Sequence, residues 1–185
     1  MIKIVIYFFQ SIVIYLLFFI GFIFRLKTSR KIFASFFSLC GPLFKSKKII
    51  NNNLKNFSSR VSEIDEKQIA NEMWKNYGMT FIEYLYLGNF KKSSAHIEID
   101  GAEYLMRVKK NDKPVIFVSG HFANFELMSM EITKNDIQLA TIYRPLNNIF
   151  LNPFMEFLRK KYVCKNQIKK GINGVKETIN YIKNN

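Results

Sequence analysis

Cysteine, histidine and acidic residues are all scarce in this chain, and each scarcity removes a class of chemistry. The two cysteines, Cys40 and Cys164, stand far apart with no CxxC pair. Neither a disulfide framework nor a thiolate metal site follows, and a reduced, cytosol-facing location is the default. The two histidines, His96 and His121, come without HExxH or a clustered carboxylate run, which argues against a zinc hydrolase. There is no GxGxxG and no P-loop, so neither cofactor nor metal is called for. No glycine lies two residues before Ser119, so the GxSxG nucleophile elbow is missing too. Asp and Glu number 14 against 28 Lys and Arg, a net charge of +14 over 185 residues. Such a balance points to an anionic partner: nucleic acid, an anionic membrane surface, a phosphorylated lipid or an acidic carrier protein.

What the chain has in quantity is apolar and aromatic side chains, with 49% hydrophobic residues, 19 Phe and 9 Tyr. Much of that sits at the start. From Ile2 to Phe24 the sequence is almost wholly apolar, broken mildly by Lys3, Gln10 and Ser11. As a helix at about 1.5 Å per residue it reaches roughly 34 Å, enough for a hydrocarbon core of about 30 Å. A cleaved signal peptide fits less well, because the run is long and Arg25-Leu26-Lys27-Thr28-Ser29-Arg30-Lys31 follows where small residues would be needed. Residues 1–25 are therefore expected to be a transmembrane or membrane-inserted anchor helix. The cations behind it put the rest of the chain on the cytoplasmic side.

Ile32 to Cys40 keeps an apolar stripe at helical spacing until Gly41-Pro42, and reads as a second helix resting on the membrane. Lys45 to Ser59, rich in Lys and Asn, reads as a solvated helix or a linker. A stronger helix is expected near Asp65, which with Gln68 forms a capping-box pattern, and Ile69, Met73, Tyr77, Phe81 and Leu85 recur at i+4 as its buried stripe. Within it Trp74 reads as a packing residue and Gly78 as a point of close approach.

From Ala95 the pattern turns to strand and helix in alternation. His96 to Asp100 alternates with period two, with His96 on a strand surface, and Gly101 starts a short helix ending near Lys110. A turn at Asn111-Asp112-Lys113-Pro114 leads into Val115 to Val118, an apolar run that reads as a buried parallel strand. Helices are expected over Phe125–Ile132 and Phe150–Tyr162, and a strand over Ile137–Ile142. A last helix carries an apolar stripe of Ile172, Val175, Ile179 and Ile182. The soluble part is thus expected to be α/β, with a sheet of about three strands that looks unfinished.

The sharpest functional signal is His121-Phe122-Ala123-Asn124-Phe125-Glu126, directly after the expected strand. Five residues apart on one helix, His121 and Glu126 would be separated by about 140°, so both cannot lie inside it and cooperate. His121 is therefore placed on a loop. With Asn124 as N-cap, Glu126 falls in the first turn, where the helix dipole favours a carboxylate. From there it can fold back to orient the imidazole, whose other nitrogen takes a proton from a substrate hydroxyl. A histidine near a glutamate is more often structural than catalytic, and the position at the carboxyl end of an α/β strand shifts that balance. Cys164 reads as a packing thiol.

These residues resemble the His, four residues, Asp/Glu signature of glycerolipid-type acyltransferases, and the surroundings resemble the bacterial lipid A biosynthesis acyltransferases in particular. The matching positions are Asn53-Leu54; Trp74, Asn76, Gly78 and Glu83; Val118 to Glu126; Tyr143-Arg144-Pro145-Leu146-Asn147-Asn148; and Lys169-Lys170-Gly171. The likeness runs from about residue 12 to the last. It implies transfer of a fatty acyl group from an acyl carrier protein thioester to a hydroxyl of a lipid A precursor at the inner membrane. His121 would be the general base and Glu126 its partner. Arg144 would contact a phosphate or stabilise developing charge, since a guanidinium binds phosphate oxygens in pairs, or be a surface residue on the turn before Pro145. Lys169 and Lys170 are weaker phosphate-side candidates. The resemblance also implies that residues 26–185 form an acyltransferase α/β domain lacking its C-terminal part. The competing expectations are a non-catalytic basic membrane-associated protein and an acyltransferase acting on another glycolipid or a lysophospholipid. Nucleic acid is disfavoured by the anchor.

Overall fold

The computed structural model describes residues 2–43, 47–57, 63–111 and 113–184. In chain order the helices are α1 (Ile2–Ile23), α2 (Leu26–Cys40), α3 (Lys47–Phe57), α4 (Glu63–Glu83), α5 (Leu87–Lys92), α6 (Ala102–Lys110) and α7 (Glu126–Lys134). Strand β1 (Ala140–Tyr143), helix α8 (Asn152–Leu158), a π turn over Arg159–Val163, strand β2 (Asn166–Lys169) and helix α9 (Ile172–Asn184) follow. The chain divides into two compact units, one of Met1–Leu16 with Tyr86–Asn185, the other of Leu17–Leu85.

The second unit, which takes α1 only from Leu17 onward, is helical. The apolar run does form one continuous helix, α1, and among the described residues it is the one helix long and apolar enough to cross a membrane. Helices α2 and α4 lie against each other through aromatic rings and small residues. Phe33 is fully buried, and Phe81 stacks with Phe18 at 4.7 Å and with Phe33 at 5.9 Å between ring centroids. Gly78 permits the approach, because a Cβ there would collide with the Phe33 carbonyl; Gly41 likewise lies under the Trp74 indole. The close-approach glycine and the packing tryptophan are where the sequence put them. The buried stripe is not: Ile69 and Tyr77 are exposed, whereas Glu66, Trp74, Gly78 and Ile82 face inward. That stripe is turned by one residue, about 100°, because glycine and tryptophan at i, i+4 give the closer contact. Helix α4 also begins at Glu63, so Asp65 lies within its first turn instead of capping it. Of the polar stretch Lys45 to Ser59, α3 covers most, and residues 45, 46, 58 and 59 lie outside the described set.

The first unit centres on two parallel strands in register from Ala140 opposite Asn166 to Tyr143 opposite Lys169. Helix α8 and the π turn connect them, and α9 leaves β2 so closely that a Cβ at Gly174 would strike the Lys169 carbonyl. Leu87, Phe90, Met130, Leu158, Val163, Cys164 and Ile168 form the core. Cys164 is the expected packing thiol, its Sγ bonded to the Leu139 carbonyl at 2.9 Å.

The α/β expectation is met only in part. The fold is mostly helical, and among the described residues the sheet has only β1 and β2. His96 stands in a turn with its ring edge against Phe90, and Ile97 to Asp100 forms no strand. Val115 to Val118 joins no strand pair, with Ile116 and Val118 more than four-fifths exposed. An extended run becomes a strand only when a neighbour takes its backbone hydrogen bonds, and β1 and β2 pair with each other. The stripe on α9 is likewise exposed at Ile172, Val175, Ile179 and Ile182.

Candidate active site

His121 lies on the loop before α7, as the helix geometry required, and is exposed. Its imidazole rests on the Phe125 ring, 4.1 Å between centroids and tilted by 47°. The reversal between histidine and helix is made at Ala123, whose φ of 46° lies in the left-handed region. For a residue with a Cβ that conformation costs about 1 kcal/mol or more, and such residues gather at functional sites. Gly120 does not supply the reversal; it lies beside the exposed Phe122 ring.

Glu126 opens α7 and is buried, in the first turn as expected. The position before the helix is Phe125, while Asn124, also buried, contributes its carbonyl to the Leu127 N–H at 3.2 Å. The Glu126 carboxylate accepts a hydrogen bond from Arg159 Nε at 2.6 Å, an ion pair in which both side chains are largely buried. Among the described residues the imidazole of His121 makes no hydrogen bond to it. Histidine and carboxylate thus share one loop and helix start, with Arg159 fixing the carboxylate from behind.

Arg159 was not visible as a site residue in the sequence, because nothing local marks a cation 33 positions from its partner. Its guanidinium carbon also stands 5.9 Å from the Tyr143 ring centre, and so reaches the second group of candidates. Arg144 follows β1 and Lys169 ends β2; Lys170 comes next, its N–H donating to the Tyr143 carbonyl at 2.8 Å. The parallel pairing therefore brings Arg144, Lys169 and Lys170 to one end of the sheet, and all three are exposed. An open hollow there is lined by Gln167, Lys169, Lys170, Asn173 and Glu177, and does not include His121 or Glu126.

A polar network holds this end in shape. Tyr143 donates a short hydrogen bond to Glu156, which also accepts from Asn152 Nδ2 at 2.9 Å and lies 3.5 Å from Lys169 Nζ. The hydrogen bonds from Tyr143 and Asn152 hold the Glu156 carboxyl below its usual range, with Lys169 adding to them against the opposing effect of burial. Burial first, and then Glu156, push the Tyr143 phenol above its own. Glu156 and Arg159, three residues apart, share a helix face, which is the one sequence cue that could have found them.

Over residues 1–185 the chain matches the family model for bacterial lipid A biosynthesis acyltransferases, and so falls by class among the enzymes that transfer acyl groups. It belongs to the bacterial lipid A biosynthesis acyltransferase family. An acyl donor and a lipid acceptor are the partners in general terms. No curated protein and no solved structure matches the chain.

Proposed function

We propose that the chain is a membrane-bound acyltransferase in which His121 is the general base, and that it moves a fatty acyl group from acyl carrier protein to a hydroxyl of a lipid A precursor. The observation that carries this reading is the placement of His121 on a strained loop immediately before a helix whose first residue, Glu126, is a buried, arginine-held carboxylate. The acceptor oxygen attacks the thioester carbonyl while His121 takes its proton. The tetrahedral oxyanion collapses, the C–S bond breaks, and the carrier's thiolate leaves with the proton returned by the imidazolium. No acyl-enzyme forms. On substrate binding the imidazole swings from Phe125 towards Glu126, which orients it and stabilises its positive charge; such catalytic hydrogen bonds commonly form only in the substrate complex.

Arg144, Lys169 and Lys170 face the phosphates of the acceptor, a role that their shared position at the strand ends supports. Helix α1 holds the enzyme in the inner membrane with its remaining residues on the cytoplasmic side, where an acidic carrier protein meets a basic surface. His121→Ala should lower acyl transfer from acyl carrier protein by about 10²–10⁴-fold, the usual worth of a general base. Undiminished transfer by that variant, in the reconstituted protein with a lipid A precursor, removes the mechanism.

A further inference from the structure

The loop that carries Arg144 is tied to the apolar helix at Asn148. Asn148 is 8% exposed and satisfies itself in two directions. Its Oδ1 accepts the backbone N–H groups of Phe150 at 3.0 Å and Leu151 at 3.2 Å, closing the turn that leads into α8. Its Nδ2 donates outward, at 2.8 Å, to the Tyr7 carbonyl of α1. A carbonyl inside a helix already serves the N–H four residues on, so a second donor must reach it from the side. Ser11 allows this: it is small and buried, and its hydroxyl turns back onto the Phe8 carbonyl. Around this point Tyr15 donates its hydroxyl to the Phe150 carbonyl at 2.8 Å, while the Phe8 and Tyr15 rings meet Phe150 and Phe154 edge-on.

The segment between Arg144 and this joint has little freedom. Tyr143 is fixed by Glu156 and by the Lys170 N–H, Leu146 donates its N–H to Asn152 Oδ1 at 2.8 Å, and Asn148 closes the far end on α1. We infer that Asn148 is a positioning residue: it sets the Arg144 loop against the helix that lies in lipid, so that an acceptor whose chains stay beside α1 presents its phosphate at a fixed place. This rests on the acyltransferase reading above and adds a residue to it. Asn148 does not touch the reacting atoms; it acts through Arg144.

The chemistry of the side chain supplies the test. Asn148→Asp keeps an oxygen for the Phe150 and Leu151 N–H groups and removes the donor to Tyr7. Tyr15→Phe removes the second hydrogen bond at the joint and nothing from the loop. In the full chain, in lipid nanodiscs, each should raise KM for the lipid acceptor, Asn148→Asp by about tenfold as expected for one buried donor. The kcat at saturating acceptor should stay within about twofold, since no interaction specific to the transition state is lost. Hydrogen exchange gives a reading independent of catalysis: in Asn148→Asp, amides of residues 7–15 and of 144–152 should lose protection together, while those of α4 keep theirs. An unchanged KM with coupled exchange overturns the positioning role. Uncoupled exchange overturns the joint itself. A wild-type protein that transfers no acyl group overturns the acyltransferase reading instead, and the exchange result still decides the joint.

Discussion

At the scale of single residues, the site is organised by groups that hold other groups. Glu126 and Arg159 form an ion pair with 8% and 14% of their side chains exposed. Removing one partner of a fully buried pair costs about 3–5 kcal/mol, because the remaining charge stays in a medium that solvates it poorly. Arg159→Met should therefore lower stability by somewhat less than that, given the residual exposure, as read from chemical denaturation in detergent. Adding Glu126→Gln should restore most of the loss while acyl transfer stays low. A double variant that recovers both would make the pair purely architectural. Glu156 offers a pH reading at the same scale. Its folded pKa is depressed, so its contribution is present above the unfolded carboxylate value of about 4.3 and is lost as pH falls through the folded value. Melting temperatures recorded from neutral pH into that acid range should fall more steeply for the wild type than for Glu156→Gln. Parallel curves would assign the acid sensitivity elsewhere.

At the scale of elements, helices were legible and strands were not. The expected helices appear at α1, α2, α4, α6, α7, α8 and α9, because periodicity, glycine and proline act through neighbours in sequence. Strand formation depends on a partner that sequence spacing does not specify. Ile137–Ile142 became β1 shifted towards Tyr143, and Val115–Val118 stayed unpaired. The site divides in the same way. His121 on the loop and Glu126 in the first turn follow from helix geometry alone, whereas Arg159 and Asn148 act through contacts 33 and 141 positions away. The α2 and α4 contact tests what was legible. Gly78→Ala places a methyl against the Phe33 carbonyl, which is backbone and cannot rotate aside. Overpacking of this kind costs about 1–3 kcal/mol, and should outweigh the higher helix propensity of alanine. A variant that denatures at the wild-type midpoint would show that the two helices separate freely.

At the scale of the whole molecule, the proposed membrane attachment would rest on two forces, and they answer to different conditions. One is the burial of α1, whose most apolar stretch has a mean hydropathy of 2.4 and is mostly exposed on the protein itself. It does not depend on salt or lipid charge. The other is the net charge of +14, of which the part nearest the apolar helix follows it directly. Arg25, Lys27, Arg30 and Lys31 are the cations there; Arg30 is engaged by Glu83 at 2.7 Å, and Arg25, Lys27 and Lys31 are exposed. Near an anionic surface each such charge is worth about 1 kcal/mol, or roughly fivefold in partitioning. The full chain carrying Lys27→Gln and Lys31→Gln should therefore be captured from dilute detergent more weakly, by about 25-fold at low salt, by vesicles rich in phosphatidylglycerol. Capture by neutral phosphatidylcholine vesicles should be unchanged. Raising the salt to about 1 M, where the screening length is about 3 Å, should bring the two proteins together on both lipids. Equal losses on neutral and anionic vesicles would mean instead that the substitutions disturb α2, and that the basic segment behind α1 has no electrostatic part in holding the enzyme at its lipid.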